Sequence, residues 1–328
     1  MKKPILIVAL IFFFVSAACS APVRTKWSPT PTTSAPADAP QVTPTVSDQP
    51  AATAEDLGDV PVEPTSENTQ RAMPEGVVNL MVLGSDFREG AGHRTDVIML
   101  VSVNTVNQTV SVVSFPRDLY VPIPGWTTQR INTAEPHGGF DTLAATMESN
   151  FGVRPTYYVM TDFQGFKNVI NSLGGIDVYI GSRLVDQCDL PMANGEGTCT
   201  VDPGLMRMDG DTALWYVRSR HTSSDLDRLR REQEVMMGLF VGVMSGGLQN
   251  LPGLFAQYQA SVRTNLTVDA ITPLLPTAAR VFSDRKLIQR YTMTVKEAKP
   301  FVTSTGAQVL LPDYDAINAI LDQAIFNQ

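Results

Sequence analysis

Three apolar stretches, the last two separated by only four residues, constrain the fold of this chain more than any other feature. Residues 77–84, 97–104 and 109–115 each have the pattern of a buried β-strand. The short connection over 105–108 is typical of a tight hairpin, which makes the strands on either side of it antiparallel. A sheet that contains such a hairpin cannot be purely parallel, so we predict a mixed sheet.

After residue 76 the chain alternates between helical and strand patterns, as α/β domains do. Helical periodicity predicts helices over 139–151, 163–173, 209–217, 225–243, 268–281 and 314–326, and short apolar runs predict strands over 157–160, 176–180 and 287–294. We therefore predict a single α/β domain over 76–328, with a central mixed β-sheet flanked by helices.

The first nineteen residues have the character of an export signal. Lys2 and Lys3 precede an apolar run over 5–15, which is too short to span a bilayer, and small residues lead to Cys19. We predict a signal peptide or lipoprotein signal over 1–19, with lipidation of Cys19. Ordinary cleavage and an uncleaved anchor are the alternatives, because Ser16 stands where lipoprotein signals usually carry leucine. The mature protein is then extracytoplasmic, anchored to the outer face of the cytoplasmic membrane.

The next segment, 20–75, is rich in Pro, Thr, Ser and Ala and carries scattered acidic residues. Large apolar side chains are almost absent, so this stretch cannot offset the entropy lost on ordering. We predict a disordered acidic linker that holds the domain away from the membrane. The formal net charge of the whole chain is −8, which argues against a nonspecific nucleic-acid binder, so no nucleic-acid partner is predicted.

Two cysteines, Cys188 and Cys199, remain for the exported domain. The segment between them consists of residues typical of loops. In an oxidising compartment we expect a disulfide that pins this loop. A metal site would need more ligands than the loop offers, and a catalytic thiol would need a partner histidine.

Charged side chains stand at the ends of all three predicted strands. Asp86 follows the first strand, Asp96 precedes the second, and Arg117 and Asp118 follow the third. If the first two strands are antiparallel neighbours, both aspartates emerge at one edge and could share a divalent cation. The alternatives are ordinary ones: the aspartates are turn formers or caps, and the Arg-Asp pair is a solvated strand end.

Arginines concentrate over 207–231, a segment without lysine. Arg218 and Arg220 point the same way only in an extended chain, whereas Arg228 and Arg231 share a face of a predicted helix. Arginine without lysine favours bidentate binding of phosphate. The alternative is an exposed helix with ion pairs to neighbouring acidic residues.

Taken in order, these segments resemble the LytR-CpsA-Psr (LCP) family over about 77–239, and no motif is assigned beyond about 247. The matching motifs are Gly84-Ser-Asp-x-Arg88, Arg94-Thr-Asp96, Ser114-x-Pro-Arg-Asp118, Arg130-Ile-Asn132 with Gly138-Gly139, YVMTDFQGF over 158–166, Leu173-Gly-Gly-Ile-Asp-Val178, Met208-Asp-Gly-Asp-x-Ala213, Tyr216-Val-Arg-Ser-Arg-His221 and Asp225-x-x-Arg228-x-x-Arg231.

The resemblance implies a glycopolymer–peptidoglycan phosphotransferase, with a polyprenyl-pyrophosphate-linked glycan as donor and peptidoglycan as acceptor. It implies Mg²⁺ or Mn²⁺ bound by Asp86 and Asp96. Catalytic roles would fall to Arg117, Arg218 and Asp225, the last orienting the arginines or assisting the acceptor hydroxyl. The residues expected to bind the pyrophosphate are Arg88, Arg94, Arg117, Arg218, Arg220, Arg228 and Arg231.

Two other functions share the same site: a polyprenyl-pyrophosphate pyrophosphatase that uses water as acceptor, and a non-catalytic binder of anionic polymer or lipid. No partner pattern is visible for His93 or His137, so a Ser-His-Asp hydrolase is not indicated. Relatives usually continue the last motif as Arg-Gln-Gln, but this chain has Glu232 after Arg231. A carboxylate there would repel an anion unless it turns away, binds metal or pairs with an arginine, so we leave Glu232 out of the site.

A lipid-linked donor also needs an apolar pocket for its tail. The predicted helix faces that could line one include Phe140, Leu143, Phe163, Phe166 and Ile170. The same side chains would serve equally well as ordinary core.

Overall fold

A computed structural model of the chain describes residues 71–86, 93–219, 225–246 and 261–327. The predicted export signal with Cys19, nearly all of the predicted linker, and the predicted ligands Arg88 and Arg220 lie outside these residues. Within the described ranges, no helix combines the length and apolar character needed to cross a membrane.

Six strands, numbered along the chain, form the central sheet. They are β1 (Val77–Ser85), β2 (Thr95–Asn104), β3 (Thr109–Ser114), β6 (Tyr157–Asp162), β11 (Arg263–Thr264) and β12 (Ile288–Thr292). Their order across the sheet is β11-β6-β1-β2-β3-β12. The pairs β1–β2 and β2–β3 are antiparallel, whereas β1–β6 and β3–β12 are parallel. The predicted hairpin and the predicted mixed sheet are therefore confirmed.

Short strand pairs and seven helices complete the described fold. The strand pairs are β4 (Tyr120–Pro122) with β5 (Thr128–Arg130), β7 (Ile176–Ile180) with β10 (Gly204–Met208), β8 (Leu184–Gln187) with β9 (Thr198–Val201), and β13 (Ala298–Val302) with β14 (Gln308–Pro312). The helices are α1 (Ala134–Phe151), α2 (Phe163–Ser172), α3 (Gly210–Arg218), α4 (Asp225–Ser245), α5 (Val268–Ile271), α6 (Leu275–Ser283) and α7 (Tyr314–Leu321).

Three helices differ from their predicted bounds by more than two residues or are interrupted. Helix α1 begins five residues before the predicted start at 139 and continues across a kink at Gly138 and Gly139. The helix predicted over 268–281 is divided by the 3₁₀ turn Thr272–Leu274, where prolines remove backbone donors. The last helix ends at Leu321 and continues as a π-helical turn over Asp322–Phe326.

The two faces of the central sheet differ in burial. We call them the α1 face, which packs on α1 and α7, and the α4 face, which faces α4. Met81 and Leu83 belong to the α1 face and to the main apolar core. Along β1 the α1-face residues are all buried (Asn79, Met81, Leu83, Ser85), and the α4-face residues are all partly exposed (Val78, Leu80, Val82, Gly84). Along β1 the α4 face is therefore only partly covered, whereas Met99 on β2 and Val112 on β3, which belong to the same face, are buried.

A second apolar core lies between α2, α3, α4 and the β7–β10 pair. Helix α4 approaches β7 closely because two glycines face the strand. A Cβ at Gly238 would lie 2.8 Å from the carbonyl oxygen of Asp177, and one at Gly242 would lie 3.4 Å from the Ile176 side chain. The first distance is shorter than van der Waals contact, so α4 can rest on the β7 backbone only while residue 238 lacks a side chain.

The two cores divide the residues predicted to line a lipid pocket. Leu143 is buried in the main core and Ile170 in the second one. Phe140 stacks on Tyr158 with ring centroids 4.5 Å apart and packs against the main core, whereas Phe166 packs against the second. These side chains do not line one pocket, and the ordinary core interpretation is the correct one for them.

The predicted disulfide between Cys188 and Cys199 is present, with 5.7 Å between the Cα atoms. It closes the loop that joins β8 to β9. At the start of the described chain, Arg71, which belongs to the predicted linker, contacts the domain. Arg71 pairs with Asp322 and its guanidinium lies 3.7 Å from the ring centroid of Phe326.

Candidate functional site

The charged residues predicted from the strand ends lie at one edge of the sheet. Because β1 and β2 are antiparallel, Asp86 after β1 lies beside Arg94 before β2. The backbone N–H of Asp86 donates to the Arg94 carbonyl oxygen at 3.1 Å, and the Arg94 N–H donates to Asp86 Oδ1 at 2.6 Å. One oxygen of Asp86 thus accepts from the backbone just before β2, which is the capping role weighed above, while the carboxylate stays at the sheet edge.

Asp96 owes its position to a β-bulge. Gly84 pairs with Val97 and Ser85 with Thr95, so Asp96 is the extra residue on its strand. A bulge bends the strand and re-aims the side chain of the unpaired residue. Oδ1 of Asp96 accepts a hydrogen bond of 2.9 Å from the guanidinium of Arg117, which follows β3.

Arg117 is the centre of a chain of alternating charges. Its Nε donates to Asp118 at 3.2 Å, and Asp118 lies 3.3 Å from Nε of Arg130. Burial alone would lower the pKa of Arg117, but the attraction of Asp118 and Asp96 outweighs burial and raises the pKa above its ordinary value. Arg117 therefore stays charged at any pH at which the protein is folded.

Helix α4 contributes Arg228 and Glu232 to the same cluster. Nε of Arg228 lies 3.2 Å from Oε1 of Glu232, and the residues are 5% and 4% exposed. The pKa of Glu232 is raised to about 8, chiefly by burial and to a smaller extent by Asp96. Arg228 and Arg231 act in the opposite direction and lower it. The influence of Asp96 on this pKa is consistent with α4 lying on the same side as the bulge residue.

This burial removes the difficulty that the sequence posed at Glu232. With a pKa of about 8, the carboxyl is mainly protonated at neutral pH. A neutral carboxyl has nearly the size of an amide and, like it, can both donate and accept hydrogen bonds. Glu232 can therefore occupy the place of the glutamine usual in relatives without adding negative charge beside Asp96.

A polar side chain anchors α4 above the end of β3. Gln233 Nε2 donates to Ser114 Oγ and to the Tyr291 carbonyl oxygen, each at 2.8 Å. The next residue, Glu234, accepts from Tyr216 at 2.6 Å and from the Gly181 N–H at 3.1 Å, and it pairs with Arg230. These bonds hold the first half of α4 against β3, α3 and β7, so Arg228 and Glu232 have little freedom to move.

Arg218 reaches the site from the end of α3. It is exposed, and its guanidinium lies 4.5 Å from the ring centroid of Phe163. Phe163 begins α2 directly after Asp162, which pairs with Ser85 in the β1–β6 ladder. The stacking therefore places Arg218 beside the end of β1.

Arg231 has a different environment. Its side chain is 2% exposed, Nε donates to the Tyr216 carbonyl oxygen at 2.9 Å, and a second nitrogen donates to the Ser219 carbonyl oxygen. These bonds commit the guanidinium to the backbone at the end of α3, which leads to Arg220. The predicted contact of Arg231 with pyrophosphate stays a prediction.

The structure thus places Asp86, Asp96 and Arg117 at one edge of the sheet, with Arg218 beside the end of β1. Arg228 lies on α4, which is bonded to the end of β3 through Gln233. The side chain of Arg94 is exposed at the same edge. Helix α4 begins at Asp225, whose side chain is outside the described residues, as are Arg88 and Arg220. The chemical roles of all these residues stay predictions.

The aspartates at the edge fit a hard divalent cation. Mg²⁺ takes one or two carboxylates and completes its shell with water and phosphate oxygens, and each aspartate has a second oxygen beyond the one that accepts a hydrogen bond. Among the described residues no three His, Cys, Asp or Glu side chains converge into a metal site. The cation predicted at Asp86 and Asp96 stays a prediction.

Sequence reasoning missed one charged cluster near this edge. Glu135, in the first turn of α1 and 7% exposed, accepts from His93 Nε2 at 2.6 Å and from Arg263 at 2.8 Å. The three residues come from distant parts of the chain, so no spacing rule relates them. A glutamate in the first turn of an apolar helix was the only available signal, and it indicates a favourable helix dipole equally well.

Comparison with known proteins identifies the family. The LytR_cpsA_psr family model matches residues 45–324. The chain belongs to the LytR-CpsA-Psr family. The resemblance drawn from the sequence motifs is therefore confirmed.

Two curated relatives illustrate the range of names in the LytR-CpsA-Psr family. Regulatory protein MsrR of Staphylococcus aureus is 33% identical over 168 residues, which cover 50% of this chain and 49% of MsrR. Polyisoprenyl-teichoic acid–peptidoglycan teichoic acid transferase TagT of Bacillus subtilis is 33% identical over 167 residues, or 49% of this chain and 51% of TagT. The chain thus spans about half the length of these relatives.

Solved structures confirm the fold of this LytR-CpsA-Psr protein. TagV of B. subtilis superposes with a TM-score of 0.64 at 23% identity, covering 77% of this chain and 98% of that one. TagT bound to LIIa-WTA superposes with a TM-score of 0.59 at 22% identity, covering 78% and 93%. The predicted α/β domain with a central mixed sheet is therefore confirmed.

Proposed function

We propose that this LytR-CpsA-Psr protein is a glycopolymer–peptidoglycan phosphotransferase, which moves a glycopolymer from a polyprenyl-pyrophosphate carrier to peptidoglycan. The carrying observation is that Asp96, set out of register by a bulge, meets Arg117 after β3. Helix α4, which holds the buried Arg228–Glu232 pair, is bonded to Ser114 at the end of the same strand. The name of TagT and its complex with LIIa-WTA support a substrate of this kind.

The proposed reaction replaces a phosphoanhydride bond of the donor by a phosphodiester bond to the acceptor. The oxygen of a peptidoglycan hydroxyl forms a bond to the phosphorus that carries the glycopolymer. The bond from that phosphorus to the lipid phosphate oxygen breaks, and the lipid phosphate leaves. Asp225, at the start of α4, is our proposed acceptor of the hydroxyl proton.

In such a transfer the protein mainly positions groups and neutralises the charge on the non-bridging oxygens. Arg117 and Arg228 supply fixed positive charge, and both are held by carboxyl partners before any ligand arrives. Charge that is already oriented needs no reorganisation during the reaction. Arg218 is exposed and stacked on Phe163, so it can add a further guanidinium from the open side.

We also propose Mg²⁺, or Mn²⁺, as the cofactor, held by Asp86 and Asp96. When bound, such a cation withdraws charge from the phosphate oxygens it contacts. The chain itself orients the two carboxylates, through the Arg94 backbone N–H for Asp86 and through Arg117 for Asp96.

The prenyl tail is proposed to lie along the α4 face of the sheet. Leu80, Val82 and Val101 stand side by side there and are all partly exposed. Apolar side chains left half-covered at the centre of a sheet are a suitable surface for a hydrocarbon chain. This surface replaces the set around Phe140 and Ile170 that the sequence suggested.

The place of action is proposed to be the outer face of the cytoplasmic membrane, with the chain anchored through its N-terminal segment and Cys19 lipidated. The Cys188–Cys199 disulfide supports an oxidising, extracytoplasmic location.

The test is a reconstituted transfer with the full-length protein in detergent. The reaction contains a short-chain prenyl-pyrophosphate glycan, a peptidoglycan oligomer and Mg²⁺, and products are separated by mass. We expect glycan-modified peptidoglycan and one lipid phosphate per transfer, with loss of transfer on chelation of the metal. Lipid phosphate without modified peptidoglycan would instead identify a pyrophosphatase, and intact bound donor would identify a binding protein.

A matched control keeps this test specific. Asp96→Asn should abolish transfer. Arg154→Ala removes only an exposed ion pair with Glu148, and residue 154 lies outside every motif shared with the family, so this variant should leave transfer unchanged. Equal loss in both variants would argue against the assigned site.

A further inference from the structure

A cavity of about 440 Å³ opens where β1 and β6 end, beside α2. Its walls come from the ends of β1 and β6, the first turns of α2, and residues 261–263. Ser85 and Met160 line it, and both belong to the α1 face, since Leu83 pairs with Met160 and Ser85 follows Leu83 by two. The Arg228–Glu232 pair, by contrast, belongs to the helix that covers the α4 face.

Five of the eleven residues that line the cavity carry neutral hydrogen-bonding side chains, and the one lining carboxylate, Asp162, accepts from the Gly165 N–H. Gln164 and Asn168 present side-chain amides from successive turns of α2, with Gln164 Nε2 donating to Asn168 Oδ1 at 2.8 Å. Ser85, Thr161 and Ser261 add hydroxyls. Such a mixture of donors and acceptors suits the hydroxyl and acetamido groups of a saccharide better than it suits an anion.

One wall of the cavity is held in place by the buried Glu135. This carboxylate binds His93 on one oxygen and Arg263 on the other, and both of these residues line the cavity. Arg263 also approaches the sulfur of Met160 at 3.0 Å. Glu135 is 7% exposed, so it acts on the cavity through its two partners and not by direct contact with solvent.

The position of the cavity matches the geometry that phosphoryl transfer requires. In that reaction the attacking and leaving oxygens lie roughly in line, on opposite sides of the phosphorus. If the lipid phosphate leaves along the α4 face, the acceptor hydroxyl must arrive from the α1 face. The cavity opens there, and its residue Ser85 immediately precedes the predicted metal ligand Asp86.

We infer that this cavity is the acceptor subsite and binds a sugar ring of the peptidoglycan glycan strand, with His93 and Arg263 as its positioned hydrogen-bond donors. The inference rests on the proposed function for its ligand, since it names the acceptor side of the same reaction. Glu135 is a positioning residue, because it orients His93 and Arg263 and does not touch the sugar.

Binding of a soluble peptidoglycan disaccharide-peptide to the full-length protein in detergent, measured by titration calorimetry, tests the inference without turnover. Asn168→Ala removes an exposed group and should leave the melting temperature unchanged. Arg263→Met also takes a partner from the buried Glu135, so it should lower the melting temperature and is assayed well below it. Each should weaken binding of the fragment about tenfold, the usual effect of losing a hydrogen bond of this kind. Arg154→Met is the matched surface control and should bind like the wild type.

The same variants are then compared in the transfer assay. We expect a KM for the peptidoglycan oligomer raised about tenfold and an unchanged affinity for the prenyl-pyrophosphate donor. Glu135→Gln should give the same pattern, whereas a purely structural role would lower the melting temperature and change both substrates alike.

The outcomes separate this inference from the proposed function. Fragment binding that is lost in Asn168→Ala supports the subsite even if no transfer is observed, and in that case only the proposed reaction fails. Transfer by the wild type with unchanged acceptor KM in Asn168→Ala and Arg263→Met would overturn the subsite alone. Weakened donor binding in these variants would also overturn it.

Discussion

The α1 face and the α4 face of the central sheet are built from alternate residues of the same strands, but they are packed differently. On β1, Met81 and Leu83 are fully enclosed on the α1 face, whereas Leu80 and Val82 on the α4 face keep part of their surface exposed. A side chain that is already enclosed contributes its full burial to stability. A side chain that is half-covered keeps apolar area available for a ligand.

The difference shows how one sheet can serve both stability and binding. The α1 face carries the main core, and the α4 face meets its helix through polar anchors such as Gln233 bonded to Ser114. Hydrogen bonds of this kind fix the distance between a helix and a sheet without filling the space between them with side chains. The predictions below test whether the two faces are as different in energy as they are in packing.

The largest expected effect is at the edge between the faces. Asp96→Asn keeps the size of the side chain but removes the charge that holds Arg117 and the proposed cation. We expect the transfer rate to fall by at least about a hundredfold, as when one preorganised charge contact is lost. The rate is measured with saturating donor and acceptor. Asp141→Asn, an exposed change on α1, is the control, and near-normal activity of Asp96→Asn would remove the site from this edge.

A direct comparison of the faces uses adjacent residues. Leu83→Ala on the α1 face should lower the free energy of unfolding by about 2–5 kcal/mol, since it leaves a cavity in a closed core. Val82→Ala on the α4 face should cost about 1 kcal/mol or less, because the side chain is smaller and partly exposed. Urea denaturation measures both. Equal losses would mean that the α4 face is a closed core as well.

The buried carboxyl of Glu232 predicts a pH-dependent difference. Its pKa is about 8 in the folded protein and near 4.5 when unfolded, so the folded state holds the extra proton between these values. Stability therefore decreases as pH rises through this window, by up to about 1.4 kcal/mol per pH unit, and levels off above pH 8. Glu232→Gln lacks this contribution, so it should gain stability relative to the wild type from pH 5 to pH 8.

Urea denaturation of the two proteins at pH 5, 6, 7 and 8 measures this difference. A constant offset across the series would mean that Glu232 is ionised in the folded state. In the same series, the transfer activity of Glu232→Gln at pH 7 should stay close to that of the wild type, because the neutral carboxyl and the amide are alike.

The smallest expected effect concerns an anchor of α4. Tyr216→Phe removes the hydroxyl that donates to Glu234 but leaves Glu234 its bonds to Gly181 and Arg230. We expect a loss of about 1 kcal/mol in the free energy of unfolding, and transfer within a few-fold of normal. Differential scanning calorimetry checks the first value. A much larger loss of activity than of stability would indicate that Tyr216 contacts a substrate.

Much of the fold could be predicted because it depends on local patterns. The sequences of β1, β2 and β3 are apolar stretches of a length typical of buried strands. The hairpin between β2 and β3 follows from the short connection that joins them. The kink in α1 could not be predicted in the same way. Gly138 and Gly139 are typical helix breakers, but residues 134–137 continue the helix beyond them because Ala134 is buried in the main core.

The site was predictable in its residue types and not in its geometry. The motifs indicated Asp96, Arg117 and Arg228 together, but the bulge at Asp96 depends on which residues of β1 and β2 pair. The neutral state of Glu232 depends on burial by elements that a local pattern does not contain. For the same reason, the contacts of Glu135 with His93 and Arg263 were out of reach.

The seating of α4 on β7 has a consequence for activity at a distance. Gly238 lies ten residues after Arg228 on one continuous helix, so the two residues are about 15 Å apart along the axis of α4. A methyl group added at residue 238 would push α4 away from the Asp177 carbonyl oxygen and would tilt the part of the helix that holds Arg228. Since a displacement of about 1 Å can slow catalysis about a hundredfold, the turnover of this protein should be adjustable from a position that touches no substrate.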